Sequence, residues 1–487
     1  MSTAPPGPDH KAFQLMRAGR YAEALAFARQ AVAGKGRCVP AHGLLASILV
    51  GLGRPEDAEA VVEQALAFGA GEADAYDGLA HVSMRLGRHD RANALYRRAA
   101  EAAPANPRFW YNLASSERSL GRLQAAEEAC DRAIALDPAQ NASYLLRSEL
   151  RVQTPEANHL DELRRRLASV AADDPARMFL GYALAKELDD LGAYDEAFEW
   201  YAAAASARRS RLAYDVSVDE QKLRLIEAAF PAAPPTPRDA GASDPADFIF
   251  IVGLPRSGTT LLERLVSGLP KVVSNGETDN FSRALLGAAP AGPEEIFTRA
   301  AAADPVAVAA AYARYAGGPG DGPVIEKLPM NYLYLGAIHR ALPGAALLLM
   351  QRSPLDSCFA MFRTLFGAAY PFSYDFEDLA RYYAAYDRLV SHWKATLGEA
   401  LYEVSYAALV DQPAQVGGAA ARHCGLAWSD DAVDIQKNRA ASYTASAAQI
   451  RRPIYATSRE RWRPYRKHLD PLVEALRRHG VEPLPGA

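Results

Sequence analysis

Apolar residues follow two rhythms along this chain. Up to about residue 230 they recur at helical spacing, punctuated by Gly19-Arg20, Gly53-Arg54, Gly87-Arg88 and Gly121-Arg122, each 34 residues after the last. Ala24, Ala58, Ala92 and Ala126 stand five positions after each glycine. Pro40, Pro104 and Pro138 fall near the ends of these units, where a helix has to stop. Beyond residue 246 the rhythm changes to short apolar runs separated by helical patterns. The runs are Phe248–Val252, Val272–Ser274, Val324–Ile325, Ala345–Met350 and Leu401–Val404. The first, Phe248–Val252, is continuously apolar and reads as a strand buried on both faces. The two rhythms together predict an all-α array followed by an α/β domain with a mainly parallel sheet.

A 34-residue period, a glycine turn between two helices and a small residue where they cross form the tetratricopeptide (TPR) signature. Alanine at each crossing lets paired helices approach closely, and stacking buries the faces that one unit leaves exposed. The turn and its alanine return at Gly192 and Ala197, with residues 155–180 reading as a degenerate unit and Val216–Phe230 as a terminal helix. Residues 1–9 are expected to be disordered, 10–231 to form the TPR solenoid and 247–487 the second domain. Between them, 232–246 is rich in Pro, Gly and Ser and reads as a linker. A solenoid of this kind presents a concave groove suited to a peptide or protein partner, including a second copy of the chain. Buttressing the second domain is the alternative use.

Composition narrows the partners. Over 487 residues, 49% apolar and 23% charged content is that of an ordinary soluble protein, and the net charge of −4 gives no reason to expect nucleic acid. The N-terminus lacks a basic segment followed by an apolar one, so no signal peptide is expected. Ala341–Met350, the most apolar stretch, is too short for a membrane span. Cys38, Cys130, Cys358 and Cys424 are scattered without a paired motif, which argues for free thiols and no metal site. A cytoplasmic location is the expectation.

Candidate chemistry lies just after the apolar runs, because parallel sheets bind ligands beyond the carboxyl ends of their strands. After the first run, Gly253, Pro255, Arg256, Ser257 and Gly258 lead into Thr259 and Thr260, which open an amphipathic helix. A glycine-bearing loop running into a helix N-terminus cradles anions with backbone N–H groups and the helix dipole. The spacing nearly matches a nucleotide-binding P-loop, but Thr259 stands where that motif has Lys. Arg256 supplies the cation instead, and no metal is called for. Glu277 follows the second run, a carboxylate placed to take a proton from an acceptor hydroxyl. Lys327 follows the third, where an ammonium neutralises charge developing on a departing oxygen. Arg352 follows the fourth, suited to bidentate phosphate contact, with Asp356 as a helix-capping candidate and Ser357 as a further hydroxyl. From Lys437 to His468 the chain carries nine Lys or Arg residues against Glu460 alone, interleaved with hydroxyl residues. That stretch reads as a lid over a phosphorylated ligand, with a solvated helix face or a nucleic-acid patch as alternatives.

Together these residues resemble the sulfotransferases that use PAPS (3′-phosphoadenosine 5′-phosphosulfate), most nearly the bacterial TPR-containing branch whose catalytic half is similar to the tyrosylprotein sulfotransferases. The resemblance covers roughly 246–470 for the transferase and 10–225 for the repeats. It implies that Arg256, Ser257, Gly258, Thr259 and Thr260 hold the 5′-phosphosulfate and that Glu277 is the general base. It further implies that Lys327 stabilises the sulfuryl group in flight, with Arg256 assisting, and that Arg352 holds the 3′-phosphate. Tyr406 and Ser458 look like further nucleotide contacts. The family places a Ser eight residues after that Arg, where this chain has Ala360; Ser357 stands one helical turn earlier. The implied acceptor is a peptide tyrosine, a saccharide or another small-molecule hydroxyl. Two rivals stand beside this reading: a P-loop kinase or hydrolase, and a non-catalytic TPR adaptor with a decayed transferase domain.

Overall fold

The computed structural model describes residues 7–69, 71–231, 246–292, 294–318, 320–438, 440–442, 444, 447–451, 453–454 and 459–484. It divides into two compact units, Met1–Leu150 and Arg151–Ala487.

The first unit is a run of antiparallel helix pairs: α1 (Pro8–Arg17), α2 (Tyr21–Lys35), α3 (Val39–Gly51), α4 (Pro55–Ala67), α5 (Ala73–Arg85), α6 (His89–Ala102), α7 (Pro107–Ser119), α8 (Leu123–Leu136) and α9 (Asn141–Glu149). The repeated Gly-Arg is the turn inside each pair. Gly19, Gly53, Gly87 and Gly121 have φ between 67° and 77°, in the left-handed region. The N–H of the following Arg20, Arg54, Arg88 and Arg122 donates to the carbonyl five residues back, at 2.8–3.0 Å. This is the Schellman closure, which satisfies carbonyls that a helix end leaves orphaned. At Gly19 and Gly87 an added Cβ would meet nothing within 4 Å, so the dihedral and not space selects glycine. Ala24, Ala58, Ala92 and Ala126 are all fully buried in one apolar core with Leu45, Ile48, Leu79 and Leu95.

The second unit opens with α10 (Leu160–Ala168), α11 (Ala176–Asp190), α12 (Tyr194–Arg209) and α13 (Val216–Ala229). The repeat turn recurs between α11 and α12, where Gly192 has φ 78° and Ala193 N–H donates to Leu188 O at 2.9 Å. These helices belong to the same compact unit as the sheet. Tyr182 Oη donates to Phe362 O at 3.0 Å, Arg209 pairs with Asp378 at 2.7 Å, and Arg381 pairs with Glu220 at 2.8 Å. Of the linker expected over 232–246, residues 232–245 lie outside the described residues.

Five strands follow: β1 (Phe248–Gly253), β2 (Val273–Ser274), β3 (Val324–Glu326), β4 (Ala346–Gln351) and β5 (Leu401–Ser405), within a residue or two of the five apolar runs. Their order is β2-β3-β1-β4-β5 and each pairing is parallel, with Phe250 opposite Glu326 on one side and Leu347 on the other. The helices that cover the sheet and its edges are α14 (Thr259–Val266), α15 (Asn280–Ala288), α16 (Ile296–Ala301), α17 (Pro305–Ala316), α18 (Leu335–Ala341), α19 (Pro354–Phe362), α20 (Phe376–Leu397), α21 (Tyr406–Asp411), α22 (Pro413–His423) and α23 (Asp470–Arg478). Because β3 and β4 flank β1 on opposite sides, the chain switches direction at β1. The carboxyl ends of these strands therefore frame a crevice at β1, where the candidate residues cluster.

Candidate active site

The loop after β1 is shaped by its backbone. Gly253 has φ 150°, and a Cβ there would meet Met350 O at 2.7 Å. Arg256 sits in the left-handed region at φ 65°, a conformation that costs a non-glycine residue on the order of 1–3 kcal/mol. Gly258, at φ 111°, caps α14 without a side-chain hydrogen bond; its carbonyl accepts from the Leu261 and Leu262 amides at 2.9 and 3.2 Å, so Thr259 and Thr260 carry the first N–H groups of that helix. The Tyr406 ring packs over Gly258 so closely that a methyl group would meet its Cδ2 at 2.3 Å. Ser257 is buried, and its hydroxyl has no partner among the described residues. Thr259 and Thr260 are likewise buried at the head of α14. An orphaned hydroxyl beside a free helix N-terminus fits an anionic group such as a phosphate or sulfate ester.

Arg352 and Tyr406 close one side. The Arg352 guanidinium lies 4.7 Å from the Tyr406 ring centroid, donates to Arg256 O at 3.2 Å and pairs with Asp356 at 3.2 Å. The cap of α19 is Ser353, whose Oγ accepts from the Asp356 amide, so Asp356 serves the arginine and is not the cap. Ser357 is buried one turn into α19, with its hydroxyl 3.5 Å from Arg352 O. Arg256 reaches outward to Gln449 Oε1 at 3.1 Å.

Glu277 and Lys327 meet directly. Lys327 is fully buried and donates Nζ to Glu277 Oε1, while the Glu277 side chain is one-third exposed. Glu326 turns away to accept from Asn331 Nδ2 at 3.0 Å and from the Phe281 amide at 3.3 Å. Burial pushes the Glu326 carboxyl up to about 7, against the pull of those hydrogen bonds.

Three neighbours escaped the sequence reading. Glu263 on α14 stands 3.6 Å from Lys327 Nζ, and its one visible signal is the charged pair Glu263-Arg264 set between Leu262 and Leu265. Tyr370 sits at φ 52° before Pro371, and burial together with the Glu277 charge pushes its phenol up to about 12. Arg264 is buried against the carbonyl of Ala441 and the side chain of Asn438, and burial pulls its guanidinium down to about 10. It thereby fastens the start of the basic C-terminal stretch to α14. Further along that stretch, Arg461 and Tyr465 bind Asp189, Lys467 and His468 bind Asp195, and Arg459 binds Asp411. Ser458, with Tyr443, Ser446, Arg452 and Tyr455, lies outside the described residues.

Residues 247–430 match the sulfotransferase family, and 15–82 and 78–141 each match the tetratricopeptide repeat. The chain thus joins a sulfotransferase-family domain to TPR repeats in its N-terminal region. A protein of Aquifex aeolicus (strain VF5), described only as uncharacterized, is 28% identical over 366 residues, covering 72% of this chain and 47% of the relative. The chain therefore spans about half the length of that relative. Among solved structures, MamA is 14% identical over 44% of this chain and all of its own (TM-score 0.27). PilF of Pseudomonas aeruginosa is 18% identical over 41% of this chain and 87% of its own (TM-score 0.30). YrrB, "a TPR protein with an unusual peptide-binding site", is 17% identical over 39% and 89% (TM-score 0.26). Among the described residues there is no group of three metal-ligating side chains, and no helix is long and apolar enough to cross a membrane.

Proposed function

We propose that the second unit transfers a sulfuryl group from PAPS to an acceptor hydroxyl. The observation that carries this reading is the contact between Glu277 and buried Lys327, beside the helix that the anion loop opens. One side chain accepts a proton and the other stabilises negative charge, as such a transfer requires. In the proposed step, the acceptor O–H gives its proton to Glu277 and the acceptor oxygen forms a bond to sulfur. The bond from sulfur to the bridging oxygen breaks, its electron pair leaves with adenosine 3′,5′-bisphosphate (PAP), and Lys327 stands over that charge. Arg256, Ser257, Gly258, Thr259 and Thr260 serve the 5′ end, and Arg352, Ser357, Tyr406 and Ser458 the nucleotide. Thr259 in place of the P-loop Lys supports a sulfate donor over a nucleoside triphosphate and its Mg²⁺. The acceptor is a peptide tyrosine or a saccharide or small-molecule hydroxyl. The TPR groove recognises it or a protein partner, and the setting is cytoplasmic.

Glu277→Ala tests the assignment. Turnover of PAPS against peptide and saccharide panels, read by mass shift, is expected to fall at least about 100-fold. PAP binding by calorimetry, with and without EDTA, is expected to persist. An active mutant would sink the base. Failure of the parent to bind PAP would sink the transferase reading and favour an adaptor, and ATP turnover that needs Mg²⁺ would favour a kinase or hydrolase.

A further inference from the structure

The Glu277–Lys327 pair has a third member. Glu263 Oε2 lies 3.6 Å from Lys327 Nζ, and its Oε1 accepts from Ser274 Oγ at 2.6 Å. The same Ser274 oxygen accepts the Gly276 amide at 3.1 Å, and Gly276 O accepts the Lys327 amide at 3.0 Å. A closed ring of contacts therefore ties α14, the loop after β2 and the end of β3 around one ammonium. The two carboxylates differ in access. Glu277 is one-third exposed at the crevice, whereas Glu263 is buried and anchored by the serine.

We propose that Glu263 is a positioning residue that holds Lys327 in place and charged throughout sulfuryl transfer. This rests on the transferase reading above. When Glu277 takes the acceptor's proton it becomes neutral, and Lys327 loses that counter-charge at the moment negative charge builds on the leaving oxygen. A fully buried ammonium without a counter-charge is driven toward losing its own proton. Glu263, 3.6 Å from Nζ and anchored by Ser274, is a second carboxylate that the acceptor's proton does not reach, and it keeps Lys327 paired and pointing the same way. Other charged groups nearby face elsewhere. Glu326 points to Asn331 and Phe281, Arg264 to Asn438, and Tyr370 lies on the Glu277 side.

Glu263→Gln keeps the shape and an acceptor for Ser274 while removing the charge. The measurement is the titration of Lys327 Nζ in the full chain, by NMR of side-chain-labelled lysine, with its signal identified by its loss in Lys327→Arg. Removing one adjacent carboxylate is expected to weaken proton binding at Lys327 about tenfold. The alkaline limb of the turnover profile should move by the same amount, with PAP affinity unchanged and Glu263→Asp restoring part of the difference. Ser274→Ala, which frees Glu263 to move, should shift the titration in the same direction by less, and it serves if Glu263→Gln does not fold. Coincident titrations of the parent and either folded variant would overturn the proposal, whether or not the chain turns over PAPS. A shifted Lys327 titration in a chain that turns over no PAPS would overturn the transferase reading and leave the charge-holding role standing.

Discussion

Single residues in the crevice are constrained by space and charge in ways that substitution can expose. Gly258 has the sharpest spatial limit, because a Cβ would collide with the Tyr406 ring and the residue sits at φ 111°. Gly258→Ala is expected to cost about 1–3 kcal/mol and to abolish measurable PAP binding, by thermal melting and calorimetry respectively. Glu326 gives a pH signature. Its carboxyl is raised from the ordinary 4.5 to about 7 by burial, so the folded chain holds a proton that the unfolded chain has released between those values. Stability contributed by that proton is fully present below pH 4.5 and is lost as pH rises through about 7. Denaturant titrations at pH 5 and pH 8 should show that fall, and Glu326→Gln should flatten it. The roles of Glu277 and Lys327 were suggested by position after a strand, but the identity of their partners was not. A contact across 50 residues depends on sheet order, which spacing along the chain does not encode.

At the scale of elements, local rules dominated and the sequence was correspondingly legible. The central strands β3, β1 and β4 coincide with apolar runs because a strand covered on both faces must be apolar throughout, whereas the edge strands β2 and β5 expose Val273, Glu403 and Ser405. The helical turns follow from glycine in the left-handed region with a Schellman closure behind it. Gly121→Ala is therefore expected to destabilise the first unit by about 1–2 kcal/mol, seen as a lower midpoint in circular-dichroism melts, although Ala is otherwise the better helix former. Capping was less legible. Asp356 looked like the cap of α19, yet Ser353 takes that role because it stands three residues ahead of the amide it accepts from.

Over the whole molecule, long-range ion pairs join segments that look unrelated in sequence. Asp189, on the repeat helix α11, is buried among Arg363, Arg461 and Tyr465. Burial alone would raise its carboxyl, but Arg363, Arg461 and the Tyr465 hydrogen bond outweigh it and hold it below the usual range. Asp189→Ala leaves a buried Arg363 uncompensated and is expected to cost about 3–5 kcal/mol, measurable by denaturant unfolding. The same contacts predict that a fragment of residues 151–487 unfolds cooperatively. One of residues 247–487, stripped of α10–α13, should be insoluble or molten by near-ultraviolet circular dichroism and dye binding.

The sequence by itself determined the repeat period, the glycine turns, the five strands and the glycine-bearing loop between β1 and α14. Each is set by short-range requirements: a left-handed dihedral, a helix crossing that admits only a small side chain, an apolar run long enough for one strand. Only the tertiary structure decided that Lys327 meets Glu277 and Glu263, that Tyr406 seals Gly258, and that α10–α13 share a compact unit with the sheet. Those are matters of which segments the fold brings within a few ångströms. Burial and charge compensation settle them over the whole unit, and no window of neighbouring residues contains that information.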